Sequence, residues 1–503
     1  MKPVRYGAMD DDPLHDLELL VRSRHGALLI DTSDEERAVA LVGQAAQRLQ
    51  LALFVWRRAS GLRREGETTA IYGTRDPRAA LGHVASSELP ALYMFHGLAP
   101  DLEQAEVSDH VREAAEHLAG RSGAVVLTGT DVALPASLRG VVGRVRLPLP
   151  SRAEYEAVLR RVVQGLSAQT RVDVALTPPD KALLLANLKG LALGEAEKLL
   201  TRAIVEDGRL DAGDIARVVE AKRHLVEQDG LLEYCPTADS LEEIADLTRL
   251  KEWLEKRRLF VDDPRRATQF GLEFPRGVLL VGVPGCGKSL CAKAVASAWR
   301  LPLVRLDPGA LYDKYMGATE KNLRAAIAAA DRFAPLVLWV DEIEKAFAAG
   351  GEGDGGTSQR VLGTFLSWLQ ERRGEVFLVA TANDVQRLPP ELLRKGRFDE
   401  TFFVDLPDED ARAVILDIHL RKRRQAPDRF DLSSLARESE GYSGAELEQV
   451  VVSALYTAYA ANSPLTDDLL LDELGRTPPI VSTAREKIAD LRAWARGRTV
   501  PAN

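Results

Sequence analysis

Gly282-Val283-Pro284-Gly285-Cys286-Gly287-Lys288-Ser289 is a glycine-rich octapeptide between a short apolar run, residues 276–282, and a helix-patterned stretch from Leu290 to Trp299. A strand entering such a loop and a helix leaving it is the setting of a phosphate-binding turn. The glycines let successive backbone N–H groups face an anion at the helix N-terminus, and Lys288 supplies a point charge at the terminal phosphates. The Ser289 hydroxyl stands where it can ligate magnesium. Each residue type has a physical task, so the octapeptide points to a bound nucleotide and to a parallel α/β sheet around it.

Further on, residues 335–340 form a second apolar strand that ends in Asp341-Glu342. Two carboxylates at the carboxyl edge of a parallel sheet read as a Walker B element. Asp341 would hold magnesium through water, and Glu342 would orient and polarise the attacking water. A third strand, residues 375–383, closes on Asn383, which is placed to sense the γ-phosphate or the lytic water. Residues 393–399 then put Arg394 and Arg397 on what should be an exposed loop.

These motifs, in this order and followed by the run 441–447 that begins Gly441-Tyr442-Ser443-Gly444-Ala445, resemble the AAA clade of the AAA+ ATPases. The resemblance implies ATP with Mg2+ as the ligands. It also implies that Arg394 and Arg397 reach a neighbouring subunit's γ-phosphate, so that hydrolysis depends on a ring, a hexamer in the usual case. It places Gly444 and Ala445 of a helical lid, together with Leu290, Ile244 and Ala245, around the nucleotide. Where the family carries Ile-Gly-Gly, this chain has Ile244-Ala245-Asp246. Tyr315 and Met316 look like the aromatic pore loop of ring translocases, which grips an extended polypeptide by nonspecific apolar contact. The run Gly350 to Gly356 sits where a second pore-facing loop would lie. Nearly end to end, the chain resembles AAA proteins encoded in cyanobacterial and algal plastid genomes, which pair a degenerate ATPase-like half with an active one.

The internal repeat carries that pairing in this sequence. Laid without gaps on residues 277–288, residues 26–37 put Asp34, Glu35 and Glu36 over Gly285, Cys286 and Gly287, with Arg37 over Lys288. Acids in place of glycines exclude a polyphosphate by charge and bulk. His96 and Gly97 fall where the two carboxylates should be, and the run beginning at Gly190 echoes the one beginning at Gly441. The expected organisation is therefore a degenerate AAA-like module over 1–225, with its core to about 155 and a helical part over 156–225. A linker over 226–240, an AAA+ core over 241–408, and a helical lid with tail over 409–503 follow.

With 503 residues, 46% hydrophobic and 28% charged residues, and a net charge of −9, the composition is that of a soluble protein without the basic bias of a nucleic-acid binder. Three cysteines fit neither a zinc site nor a disulfide framework and suit the reducing cytoplasm. No apolar run approaches a membrane span. Cys286 inside the phosphate loop invites a redox switch, but the sequence fixes no adjacent resolving cysteine to serve it, and the run Arg421 to Arg424 reads as a solvated helix end. The leading expectation is an ATP-driven ring that remodels, unfolds or translocates a protein partner. The alternative is a nucleotide-gated docking or regulatory protein with little threading activity.

Overall fold

Continuous apolar runs along the buried strands decide the architecture. In the computed structural model, Ala27 and Leu29 pack into one core cluster, while Leu28 and Ile30 pack into another on the opposite face of the sheet. Successive side chains of a strand point to opposite faces, so a strand buried on both must be apolar throughout. The structure describes residues 12–503 apart from 33, 130–131, 169–171, 228–229, 237–244, 312–317, 348–356 and 373. It falls into two units, Met1–Glu154 with Ala192–Lys198, and Tyr155–Leu191 with Leu199–Asn503.

The first unit holds strands β1 (Ala27–Asp31), β2 (Ala52–Arg57), β3 (Gly61–Arg64), β4 (Ala91–Phe95), β5 (Ala124–Gly129) and β6 (Val142–Arg146). Their order in the sheet is β3-β2-β4-β5-β1-β6, parallel except for the β2–β3 hairpin. The helix Ala105–Ala119 shows how the layers close. Its Val107, Val111, Ala114, Ala115 and Leu118 recur at helical spacing and are all buried.

A two-stranded ladder of β7 (Asp173–Val174) and β8 (Arg209–Leu210) precedes the larger sheet of the second unit. That sheet is built from β9 (Leu232–Cys235), β10 (Gly277–Gly282), β11 (Leu303–Leu306), β12 (Leu336–Val340), β13 (Val376–Ala382), β14 (Glu400–Val404) and β15 (Val500–Pro501). The order is β15-β14-β10-β13-β12-β11-β9, with β9 antiparallel at one edge. Stripped of edge strands, β14-β10-β13-β12-β11 repeats the order β6-β1-β5-β4-β2 of the first unit. The fold is thus a doubly wound P-loop sheet preceded by a second sheet of the same winding. The helices Glu409–Lys422, Leu432–Glu438, Gly444–Ala460 and Asp467–Arg476 form the lid around their own core of Leu416, Leu435, Leu447 and Leu470.

Two expectations about organisation change. The segment 226–240, read as a linker from its glycine and proline, contains β9, whose Tyr234 and Glu233 pair with Val304 and Arg305. Four residues are too few to show a period between turn formers. The helical part placed with the N-terminal module belongs largely to the second unit. There Lys189 pairs with Glu375 at 3.0 Å, Arg332 donates to the Gly190 carbonyl at 3.2 Å, and buried Lys222 caps the end of the helix Ala318–Phe333 through the Phe333 carbonyl at 2.5 Å.

Candidate nucleotide site

The octapeptide of residues 282–289 turns out of fully buried β10 and into the helix Lys288–Trp299. Gly287 holds the helix N-cap at φ 84, where a side chain would be strained. Gly285 is left-handed too, and a Cβ there would stand 2.9 Å from Ser443 Oγ. The lid closes on that glycine, because Ala445 N–H donates to the Gly285 carbonyl at 3.0 Å. The Lys288 amine is buried and donates to the carbonyls of Gly282 and Val283 at 3.0 and 2.7 Å. Burial pushes it down to about 8, against the pull of Cys286 and of the acids Glu344, Asp341 and Glu342.

A continuous hydrogen-bonded line runs from this loop across the sheet edge. Ser289 Oγ donates to Asp341 Oδ1 at 2.9 Å, and Thr381 Oγ1 donates to the same oxygen at 2.5 Å. The Thr381 hydroxyl also accepts from Glu342 N–H at 2.9 Å, and the Asn383 amide donates to Glu342 Oε1 at 3.0 Å. Glu342 sits at φ 49, a left-handed conformation that a side chain normally avoids. Lys345 pairs with its carboxylate and, with Asn383 and Lys288, holds it below the usual carboxylate range. Buried Glu344 accepts from Asn383 N–H at 2.9 Å, and burial raises its pKa.

These groups face a cavity of about 450 Å³. Gly285, Cys286, Gly287, Lys288, Ser289, Leu290, Asp341, Glu342, Asn383, Ala245, Gly444 and Ala445 line it. Gly282 and Val283 instead serve through their carbonyls, and Pro284 lies outside the lining. Arg394 and Arg397 lie outside it as well. Arg394 is exposed, and Arg397 donates to the Leu366 carbonyl at 2.6 Å. Ile244, Tyr315 and Met316, and the glycine run 350–356, fall outside the described residues.

The donor set fits a magnesium nucleotide. Two oxygens, Ser289 Oγ and Asp341 Oδ1, offer the hard ligands that Mg2+ prefers, and the cavity lies within the usual range for small ligands. Among the described residues Asn383 Oδ1 is buried without a hydrogen-bond partner at the edge of the same cavity, a polar atom suited to a water or a ligand. Cys286, by contrast, is a poor thiolate, since burial pushes its thiol up to about 12.

Several lining residues were not read from the sequence. Thr381 lies inside the strand motif that ends at Asn383, and a hydroxyl in an otherwise apolar strand, VFLVATA, was the missed signal. Ile415, Ile418, His419 and Lys422 follow helical spacing on the first lid helix, so periodicity would have put them on one face. His419 faces Glu448 at 3.7 Å, and burial lowers its pKa. The basic run behaves as a helix end, with Arg421 paired to Asp417 and Arg423 to Glu448 at 2.7 and 2.8 Å.

The first unit shows the same frame with its chemistry removed. Val340 pairs with Ala380, one residue before Thr381, and Phe95 pairs with Leu127, one residue before Thr128. Asp341 and His96 therefore occupy one position, and so do Glu342 and Gly97. His96 Nδ1 lies 3.4 Å from Thr128 Oγ1 and 3.6 Å from Glu35, while Gly97 keeps the left-handed turn at φ 69. The ungapped alignment needs correction at the loop. The helix Glu35–Leu49 starts directly after Asp34, so Glu35 and Glu36 are already helical and the turn is shortened rather than merely acidified. Asp34 caps that helix by accepting from Arg37 N–H at 3.2 Å, and it also accepts from Leu193 N–H at 3.2 Å. The helix N-terminus, the usual place for an anion, is capped by a carboxylate of the chain itself. Arg37 is committed to Glu154 and to the Pro148 carbonyl.

Residues 278–406 match the model of the ATPase family associated with various cellular activities, and 429–469 match the AAA+ lid domain. Residues 13–147 and 153–229 match the N-terminal and second domains of SpoVK-like AAA ATPases. Over 487 residues the chain is 34% identical to the uncharacterized AAA domain-containing protein ycf46 of Guillardia theta, covering 95% of this chain and 94% of that protein. The chain belongs to the ycf46 family of AAA proteins. Its ycf46 relative in Pyropia yezoensis is 32% identical over 95% of this chain and 97% of that protein. Outside the ycf46 group, the AAA half is 35% identical over 260 residues to the proteasome-activating nucleotidase of Aeropyrum pernix, covering 48% of this chain and 63% of that protein. As a ycf46-type AAA protein the chain carries two AAA-like units, with its complete phosphate loop in the second. Among the described residues no helix is long and apolar enough to cross a membrane.

Proposed function

We propose that this AAA protein hydrolyses Mg-ATP at the second unit's site, assembles into a ring, a hexamer by analogy with its family, and uses the cycle to remodel or translocate a protein partner in the cytoplasm. The observation that carries the reading is the unbroken line Ser289–Asp341–Thr381–Glu342–Asn383 along one cavity that also holds the phosphate loop. In this reading the loop amides and Lys288 bind the phosphates, and Ser289 and Asp341 hold Mg2+, which neutralises charge on the transferring phosphoryl group when bound. Glu342, oriented by Asn383, takes the proton of the attacking water. Arg394 and Arg397, outside this chain's own cavity, are assigned to a neighbour's site. Tyr315 and Met316 are assigned to the client path.

Glu342→Gln keeps the fold and the nucleotide affinity while turnover drops by about 100-fold or more, the scale of losing a general base. ATP hydrolysis by that variant at the wild-type rate would sink the assignment. A second reading, a nucleotide-gated docking protein, is favoured by the first unit, where Asp34 caps the helix N-terminus. It predicts ATP-dependent partner capture by Glu342→Gln without stimulation of hydrolysis by protein clients.

A further inference from the structure

One wall of the nucleotide cavity is built at a conformational cost, because Asp246 stands where the family's Ile-Gly-Gly carries its second glycine. Ala245, Asp246 and Leu247 line it, and Asp246 and Leu247 are both left-handed, at φ 63 and 59. Two successive residues with side chains in that region form a turn that ordinarily calls for glycine. Leu247 is also the N-cap of the helix Thr248–Asp262, and its side chain makes no cap hydrogen bond. A leucine has no oxygen to offer, so the first N–H groups of this helix need partners from elsewhere.

Those partners come from residues 502 and 503. Leu247 N–H donates to Asn503 Oδ1 at 3.1 Å, and Leu250 N–H donates to the Ala502 carbonyl at 3.2 Å. Burial raises the pKa of the Asp246 carboxyl, and the nearby Asn503 side chain counters that in part. The segment is itself anchored. Strand β15 runs parallel to β14, with Val500 opposite Phe402 and Pro501 opposite Phe403, and Ala502 N–H donates to the Phe403 carbonyl at 3.0 Å. Ala502 is 1% exposed, in one core cluster with Leu247 and Leu250.

We propose that residues 500–503 act as a clamp that holds the strained turn 246–247 in its nucleotide-binding shape, which makes Asn503 a positioning residue for nucleotide affinity. The inference rests on reading the cavity as the ATP site. With the clamp in place, the wall is preformed and binding does not have to order it. Without it, Leu247 N–H loses its acceptor, the turn relaxes toward extended backbone, and nucleotide must rebuild the wall. The strain and the clamp are linked, so relieving the first should make the second dispensable.

The test is titration of the full chain with a fluorescent ATP analogue, alongside steady-state hydrolysis. Asn503→Ala should weaken binding about tenfold, the equivalent of about 1.4 kcal/mol, and raise KM for ATP while kcat at saturation stays within about twofold. In an Asp246→Gly background, where the left-handed turn carries less strain, Asn503→Ala should cost much less than in the wild type. Asn503→Gln, which moves the amide outward by one methylene, should also weaken binding and serves if the alanine variant is poorly folded. Wild-type affinity in both Asn503 variants overturns the clamp, and so does a loss that Asp246→Gly does not reduce. A different result bears on the site itself: if the wild-type chain binds no nucleotide, or Lys288→Ala binds as well as wild type, the cavity reading fails first.

Discussion

Thr381→Val removes one hydroxyl from a residue that is 1% exposed and serves both acids of the site. That hydroxyl donates to Asp341 Oδ1 at 2.5 Å and accepts from Glu342 N–H at 2.9 Å. A hydrogen bond to a charged group contributes about 1.5–3 kcal/mol, and a buried amide left without a partner costs about 1–3 kcal/mol. Glu342 adds roughly 1–2 kcal/mol of left-handed backbone cost that the Thr381 bond helps offset. Water entering the open cavity recovers part of the loss, leaving about 1.4–2.8 kcal/mol acting on the placement of Asp341 and Glu342. At about 1.36 kcal/mol per decade, kcat should fall about 10- to 100-fold. Phosphate release at saturating Mg-ATP measures kcat, a fluorescent nucleotide titration measures affinity, and a melting curve checks the fold. Affinity should change by less than about threefold, because the phosphate loop is untouched, and Thr381→Ser should restore most of the turnover. A valine variant within twofold of wild-type kcat would refute the reasoning. Equal losses in affinity and turnover would refute it as well.

Two further outcomes follow from buried lysines. Burial pushes Lys288 down from 10.5 to about 8, and its charged form is the one that binds phosphate. Nucleotide affinity should therefore be flat below about pH 8 and fall by up to about tenfold per pH unit above it, with Lys288→Met abolishing the dependence; an affinity independent of pH up to 10 in the wild type contradicts this. Lys222 is pushed down from 10.5 to about 7, by burial first and by Lys189 second. Between those values the unfolded chain holds the extra proton, so this group makes stability rise with pH across that window, and its full burial penalty applies below about pH 7. Lys222→Met should flatten that rise in melting temperature, and an unchanged pH slope would count against the assignment.

Legibility of the chain divided along physical lines. The second unit's phosphate loop, Asp341, Glu342 and Asn383 were readable because each needs one residue type at one strand end, and a single sequence records residue types and spacing. The repeat was readable as strand order, yet the shortened turn at Asp34 was not. A gap leaves no mark in one sequence, and Glu35 and Glu36 are as plausible in a loop as in a first helical turn. Strand β9 was hidden by its length and by the turn formers around it. His419 and Lys422 lie in or beside a basic run whose charge reads as a solvated helix end, which obscures the helical spacing they share with Ile415 and Ile418. The role of Asn503 could not be read at all, because its partner Leu247 is 256 positions away and nothing local marks either as one of a pair.

That separation sets an order of events in the making of the protein. Leu247 leaves the ribosome 256 residues ahead of Asn503, at a synthesis rate of about 5–20 residues per second. The phosphate loop is complete at Ser289, 214 positions before Asn503, so for roughly 11–43 seconds the nascent chain can hold that loop while the helix beside it lacks its partner from residues 502 and 503. A stretch translated long after the site's motifs thus finishes a wall that the earlier sequence only begins, and a chain cut short before residue 500 carries every motif of the site with an unsupported turn beside it.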